Sequence, residues 1–156
     1  LKGLLTRNIE GINMVNAPFI AKDRGIEVKE SKSTEVHEYT STIKVTAKTN
    51  KGERSVTGSV FGKGDSRIVQ IDEFYFEAVL SKDMLILTNN DIPGVIGRLG
   101  SALGASNINI AGFHLGRIKE GEKAVAVVNI DSQPNNKTIQ TLREIPGILN
   151  VSTVTL

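Results

Sequence analysis

Residues 84–106 read MLILTNNDIPGVIGRLGSALGAS, and this stretch decides the fold of the second half of the chain. The apolar run Met84–Leu87 is typical of a strand that is buried in a sheet. A short polar loop follows it. Pro93, which is well tolerated in the first turn of a helix, then opens a segment whose apolar residues recur at helical spacing as far as Ser106. The stretch therefore predicts a strand, a loop and a helix.

The remaining elements of this half follow from the same kind of pattern. Apolar runs and turn residues predict strands over 108–118, 124–130 and 149–154, and a helix over 135–145. Gly121 marks one turn, and Pro146 with Gly147 ends the second helix. The resulting order, βαββαβ, is the ferredoxin-like arrangement.

The first half of the chain begins with helical spacing and then changes to strand alternation. Apolar residues between Leu4 and Val15 predict an amphipathic helix, and a second helix should start at Asn16 and end at Gly25. Strands are expected over 43–48, 55–61 and 67–72. The sequence therefore predicts an α+β protein of two small domains, an α/β domain with an antiparallel sheet over 1–80 and a ferredoxin-like domain over 81–156.

Composition excludes several classes of function. The 156 residues include no cysteine, so disulfides, thiolate nucleophiles and Cys-ligated metals are excluded. The net charge of +2 comes from 19 basic and 17 acidic side chains that are interspersed along the chain. This mixture of signs argues against a nucleic-acid surface. Apolar runs are far shorter than the roughly 20 residues that a membrane helix needs, and the start lacks a signal peptide. Because the chain begins at Leu1 and its first methionine is Met14, we expect a fragment of a longer protein.

The glycines and histidines do not predict catalysis. Gly62–Gly64 runs into a strand, so it predicts a hairpin turn rather than a phosphate loop. Three helical glycines predict a helix that lies unusually close to its sheet or to a partner, namely Gly97, Gly100 and Gly104. Aromatic residues do not occur in the two predicted central strands, which argues against RNA recognition. His37 and His114 stand apart from other ligand-type residues, and no nucleophile–base arrangement is evident.

One loop has the composition of a binding site for a small zwitterion. Asn89 and Asp91 precede the predicted helix, and the backbone N–H groups of Gly94 and Val95 can receive an anion such as an α-carboxylate. Asp91 can pair with an ammonium group. Asn109 begins an edge strand, and a second copy paired there would bring its Asn109 towards this loop. A structural interpretation remains open, in which Asp91 caps the helix and the asparagines shape turns.

The residues of this loop and of the first half resemble two known domains. LTNNDIPGVIG at 87–97 and NINIA at 107–111 resemble an ACT domain, the small-molecule sensor of amino-acid metabolism. Four further segments are similar to the intervening, allosteric substrate-binding domain of the long-form D-3-phosphoglycerate dehydrogenases. They are VNAP at 15–18, AKDRGI at 21–26, GSVFG at 58–62 and IVQI at 68–71, and the run NIAGFHLGR at 109–117 fits the same family.

The resemblance implies a regulatory part of a cytoplasmic, NAD-dependent oxidoreductase that opens serine biosynthesis. The catalytic and NAD-binding domains would lie outside this chain, which itself holds no cofactor. L-Serine would bind between paired ACT domains of a homodimer, within a homotetrameric parent. The residues that correspond to its binding site are Asn89, Asp91, Pro93, Gly94, Val95 and Asn109. Some relatives have histidine where Asn89 stands and asparagine where Asp91 stands.

The resemblance also leaves alternatives. Arg67 matches a basic position through which relatives bind phosphate or phosphorylated substrate, and Lys63 lies nearby in sequence. The iron–sulfur L-serine dehydratases carry the same pair of domains, although the segments at 15–18 and 21–26 favour the dehydrogenase. A third possibility is a purely structural oligomerisation module that has lost its effector.

Overall fold

A computed structural model describes residues 1–6, 8–33, 39, 41–50, 52–62 and 64–156. Lys63 and His37, which the sequence singled out, lie outside the described residues. The chain divides into two compact units, residues 1–36 and residues 37–156. The boundary expected after residue 80 falls inside the second unit and stays a prediction.

The described elements comprise short helices in the first unit and two four-stranded sheets with two helices in the second. In chain order they are α1 Lys2–Leu5, α2 Ala17–Asp23, β1 Thr42–Thr49, β2 Gly52–Phe61, β3 Asp65–Ile71, β4 Phe74–Val79, β5 Asp83–Asn90, α3 Val95–Ala105, β6 Ile110–Arg117, β7 Lys123–Ile130, α4 Asn136–Arg143 and β8 Ile148–Thr155. The α+β class is confirmed.

The long amphipathic helix expected between Leu4 and Val15 is wrong. Helix α1 ends at Leu5, and Gly11 adopts a positive φ of 73° that an α-helix does not accommodate. Beyond it, the Asn13 side chain accepts hydrogen bonds from the backbone N–H groups of Val15 and Asn16, at 2.9 Å each. Asparagine side chains that bond to nearby backbone compete with a helix. The second helix is confirmed, since α2 begins after Asn16 and Gly25 follows it at φ 69°.

Strands β1–β4 form an antiparallel meander that we call the first sheet. Its first three strands are confirmed. The sequence analysis missed β4, which returns from β3 through a tight turn in which Asp72 has a φ of 51°. The aromatic run Phe74–Phe76 is the β-forming signal that could have revealed this strand.

Strands β5–β8 form the second sheet, in the order β6-β7-β5-β8 that a ferredoxin-like fold requires. Helices α3 and α4 cover one face of it. The core beneath them is built from side chains that are at most 8% exposed, chiefly Leu85, Leu87, Leu99, Leu103, Ile108, Ala126, Val128, Ile130, Leu142, Ile145 and Val151. Strand β6 therefore lies at one edge of the second sheet, as the sequence predicted.

The opposite face of the second sheet packs against the first sheet. This second apolar layer joins Ile71, Phe74 and Ala78 of the first sheet to Met84, Val125 and Val127 of the second. Contact is closest at Gly116 of β6, where an added Cβ would lie 2.5 Å from Phe76 Cδ1 and 3.0 Å from the Tyr75 carbonyl oxygen. The glycine is needed there because the β4 backbone approaches so closely.

Close packing of α3 on its own sheet does not account for the three helical glycines, so that part of the glycine prediction is wrong. Cβ atoms added at Gly97, Gly100 and Gly104 would meet nothing within 4 Å. Within this chain these glycines are not required by packing, and the alternative of a close partner stays a prediction.

Candidate functional site

The loop between β5 and α3 carries most of the residues predicted to bind an effector. Its backbone is fixed from two sides, because Asn90 N donates to the Gly147 oxygen at 2.8 Å and Asp91 N donates to the Glu122 oxygen at 2.7 Å. Helix α3 begins after Gly94, which has a left-handed φ of 86°. The loop thus holds its side chains on a defined backbone at the end of β5.

Asn89 is nearly enclosed, with 5% of its surface exposed. Its position in β5 alternates with Leu85 and Leu87, which belong to the core beneath the helices, so it faces the same side of the sheet. Its amide nitrogen Nδ2 donates to the Asn90 carbonyl oxygen at 2.9 Å. Asn89 therefore supplies a buried amide near the first turn of α3.

Asp91 has a partner that the sequence analysis did not name. Its carboxylate oxygen Oδ2 lies 3.0 Å from Nη1 of Arg117, the last residue of β6. The side chain of Asp91 is 17% exposed and that of Arg117 is 53% exposed. The predicted strand order could have indicated this contact. Strands β5 and β6 lie on either side of β7 and run in the same direction, so their last residues lie at the same edge of the sheet.

A second arginine lies beside the start of α3. Arg98 Nη2 donates to the Pro146 oxygen at 3.1 Å, and its Nη1 lies 2.8 Å from the position of a Cβ added at Gly94. Pro93 is exposed, whereas Val95 is buried and lies 2.7 Å from the position of a Cβ added at Gly147. Glycines at 94 and 147 thus allow the two turns to approach each other and the arginine.

Asn109 lies at the opposite end of β6 from the loop. Its Nδ2 donates to the Asp131 carboxylate at 2.8 Å, beyond the end of β7. Strand β6 runs from Ile110 to Arg117, which separates Asn109 from Asp91 by about 23 Å at the usual rise per residue. The chain alone therefore brings together Asn89, Asp91, Gly94 and Val95, but not Asn109.

Arg67, predicted to bind phosphate, already has two anionic partners. Its guanidinium contacts Asp65 at 2.6 Å and Glu77 at 2.7 Å, and it stacks 4.7 Å from the centre of the Phe61 ring. Hydrogen bonds to Asp65 and then to Glu77 raise the pKa of this guanidinium further above its usual range. A phosphate would compete with both carboxylates, so its binding here stays a prediction.

Within the described ranges, no group of three or more His, Cys, Asp or Glu side chains is arranged to hold a metal ion. None of the helices that the structure describes is both long and apolar enough to cross a membrane. The β5–α3 loop instead combines a carboxylate, an amide and two nearby guanidinium groups, which suits a small ligand with both charges.

Comparisons with known proteins identify two domains along the chain. The model of the D-3-phosphoglycerate dehydrogenase intervening domain matches residues 1–72, and the ACT domain model matches residues 84–147. The chain is 37% identical over 157 residues to the D-3-phosphoglycerate dehydrogenase of Methanocaldococcus jannaschii, covering 100% of this chain and 30% of that relative. It is 35% identical over 157 residues to the enzyme of the same name from Synechocystis sp., covering 100% of this chain and 28% of the relative.

The extent of these matches defines what the chain contains. It spans less than a third of the length of the two relatives, while its own residues are matched throughout. The two domain models match in the order in which the two sheets occur. The chain therefore contains the intervening domain of the D-3-phosphoglycerate dehydrogenases, followed by an ACT domain.

Proposed function

We propose that this chain is the regulatory and oligomerisation part of a D-3-phosphoglycerate dehydrogenase, and that it binds L-serine at the β5–α3 loop. The observation that carries the proposal is the poorly exposed carboxylate of Asp91 and the buried amide of Asn89, two positions apart where β5 ends and the chain leads into α3. A carboxylate and the N–H groups at the start of a helix complement the ammonium and carboxylate of an α-amino acid. Of the two N–H groups predicted for this role, that of Val95 already donates to the Ile92 oxygen at 3.5 Å.

The edge position of β6 supports a site shared between two copies. An edge strand offers backbone groups for pairing with another chain. If two β6 strands paired antiparallel about their centres, Asn109 of one copy would lie beside Ile118 of the other, next to Arg117. The amide of Asn109 would thereby reach the Asp91 end of the sheet, which it does not reach within one chain.

The whole protein's activity belongs to the same proposal. The names of the relatives support a parent that oxidises 3-phosphoglycerate. That this parent is a cytoplasmic homotetramer is part of the proposal and rests on the resemblance alone. The sequence of this chain contains no G-x-G-x-x-G motif, so we assign NAD to parts of the relatives that the match does not cover. Serine bound at a homodimer of ACT domains would bias the arrangement of those parts by its differential affinity.

Thermal unfolding with and without L-serine tests the proposal, with D-serine and glycine as controls. A ligand at about 100 times its Kd adds about 2.7 kcal/mol to the native state. For a chain of this size we expect a rise in Tm of about 5–10 °C that is specific for the L-isomer. The Asp91→Ala variant should lose this rise.

A matched control uses another aspartate that pairs with an arginine. Asp65→Ala removes one of the two carboxylate partners of Arg67 in the first sheet and should keep the full response to L-serine. Absence of any shift in the unmodified chain at millimolar L-serine would contradict serine binding and favour a scaffold or another effector. Sedimentation measurements with and without the ligand would show whether two copies share it.

A further inference from the structure

The contact between Asp91 and Arg117 joins two elements that are not neighbours in the second sheet. Asp91 follows β5 and Arg117 ends β6, with β7 lying between the two strands. Strands in a sheet are separated by about 4.8 Å, so the pair spans nearly two strand spacings. Only a long side chain can close that distance, and the guanidinium does so at 3.0 Å from Asp91 Oδ2.

The two partners differ in how much freedom they have. Asp91 is attached to a backbone held by a 2.7 Å hydrogen bond to Glu122 and is only 17% exposed at its side chain. Arg117 is more than half exposed and has a flexible aliphatic stem. A poorly exposed carboxylate without a cationic partner is unfavourable. Rotation of Arg117 away from Asp91 is therefore most favourable when another cation replaces it.

We propose that in the free molecule Arg117 pairs with the carboxylate of Asp91, the group that binds the ammonium of the ligand. When an amino acid binds, Arg117 moves to the α-carboxylate of that ligand. This inference rests on the proposed function, since it concerns the same ligand at the same loop. One ion pair within the chain is exchanged for two ion pairs with the ligand. The guanidinium suits the second role because its planar fork can donate two parallel hydrogen bonds to a carboxylate.

The exchange makes Arg117 a residue that determines specificity. An amine without a carboxylate must displace Arg117 from Asp91 and gives it no new partner, so it binds poorly. A zwitterion displaces Arg117 from Asp91 in the same way, but its carboxylate gives Arg117 a new partner. The site would thus select free α-amino acids over amines, amides and esters, even though the ammonium contact to Asp91 is common to all of them.

Calorimetric titration of the chain with L-serine and with L-serinamide tests this role, at about pH 6.5 where both amines are protonated. In Arg117→Gln we expect L-serine to bind about tenfold or more weakly, because a charge-assisted bidentate contact is lost. L-Serinamide should bind to this variant several-fold more tightly, because Arg117 no longer competes with its ammonium group for Asp91. These opposite changes would not arise from a merely structural role.

Three further variants sharpen the result. Arg117→Lys keeps a cation on Asp91 but lacks the planar fork, so it should bind L-serine more weakly and L-serinamide about as well as the unmodified chain. The same variant serves if Arg117→Gln folds poorly. Arg98→Gln removes the other arginine of the site and tests whether it is the carboxylate partner instead. Arg54→Gln is the control, because it removes an arginine that pairs with Asp72 in the first sheet, and it should retain the preference of the unmodified chain for L-serine over L-serinamide.

The outcomes separate this inference from the proposed function. If the unmodified chain binds L-serine but Arg117→Gln weakens both ligands equally, or changes neither, the exchange is wrong and the effector site stands. If Arg98→Gln alone abolishes the preference, Arg98 is the carboxylate partner and the assignment to Arg117 is wrong. If the unmodified chain binds no amino acid, both proposals fail together.

Discussion

Strands β1 and β7 are both eight residues long, yet their surroundings are opposite. Every residue of β7 after Lys123 is buried, whereas every residue of β1 is exposed except the half-buried Val45. Strand β7 has helices over one face and the first sheet over the other. Strand β1 lies at the edge of the first sheet, and the apolar side chain of Ile43 is 74% exposed.

The difference teaches what an alternating pattern does and does not predict. Alternation of Ile43, Val45 and Ala47 with polar residues correctly indicates a strand with one apolar face. It does not say whether that face is covered. The continuous apolar run of β7 is more informative, because a strand needs apolar residues at successive positions only when both faces are buried.

The largest expected effect is an aspartate in β7. Val128 is 0% exposed within the core beneath the helices, so Val128→Asp would bury an unpaired carboxylate and cost at least about 4 kcal/mol. Ile43→Asp in β1 should change the free energy of unfolding by less than about 0.5 kcal/mol. Urea unfolding followed by circular dichroism measures both. Equal losses in the two variants would refute the contrast between the strands.

A smaller effect is expected where the two sheets meet. Gly116→Ala would place a Cβ 2.5 Å from Phe76 Cδ1, and the resulting overpacking should destabilise the chain by about 1–3 kcal/mol. Its control is Gly104→Ala in α3, where an added Cβ meets nothing within 4 Å and should stabilise the helix by up to about 1 kcal/mol. A Gly116 variant as stable as the unmodified chain would show that the sheets do not pack so closely.

The smallest effect concerns the helix layer that covers β7. The Asn135 side chain accepts a hydrogen bond from Thr138 N at 2.9 Å, so it caps α4. Asn135→Ala should cost about 1 kcal/mol, measured as a lower urea midpoint. The matched variant Asn136→Ala, at the exposed first residue of the same helix, removes no helix cap and should change the free energy of unfolding by less than about 0.5 kcal/mol. If the urea midpoint of Asn135→Ala equals that of the unmodified chain, the cap does not stabilise the protein.

Much of this fold could be predicted because its signals are local. Periodicity and turn residues located α2, the helices α3 and α4, and seven of the eight strands that the structure describes. Strand β4 was missed because the turn at Asp72 that precedes it contains neither glycine nor proline, although the aromatic run that follows indicates a strand. The first helix was overextended because helical spacing alone does not reveal asparagine side chains bonding to the backbone of residues 13–16.

The candidate site was only partly predictable for a related reason. Asn89 and Asp91 are two positions apart in sequence, so the amide and the carboxylate of the loop are visible there. Arg117 is distant in sequence and meets Asp91 only through the order of three strands. Pairings of this kind depend on tertiary structure, as does the enclosure of Asn89.

The apolar layer between the two sheets determines which segments of the protein can be expressed separately. Two separate family models divide the chain near residue 80, and a laboratory would naturally express the later segment by itself. Such a segment would leave Met84, Val125 and Val127 facing water, together with neighbouring apolar side chains of the same face. An exposed patch of this kind promotes aggregation. We therefore expect residues 81–156 to be recovered in folded form chiefly when the preceding sheet is coexpressed or remains attached.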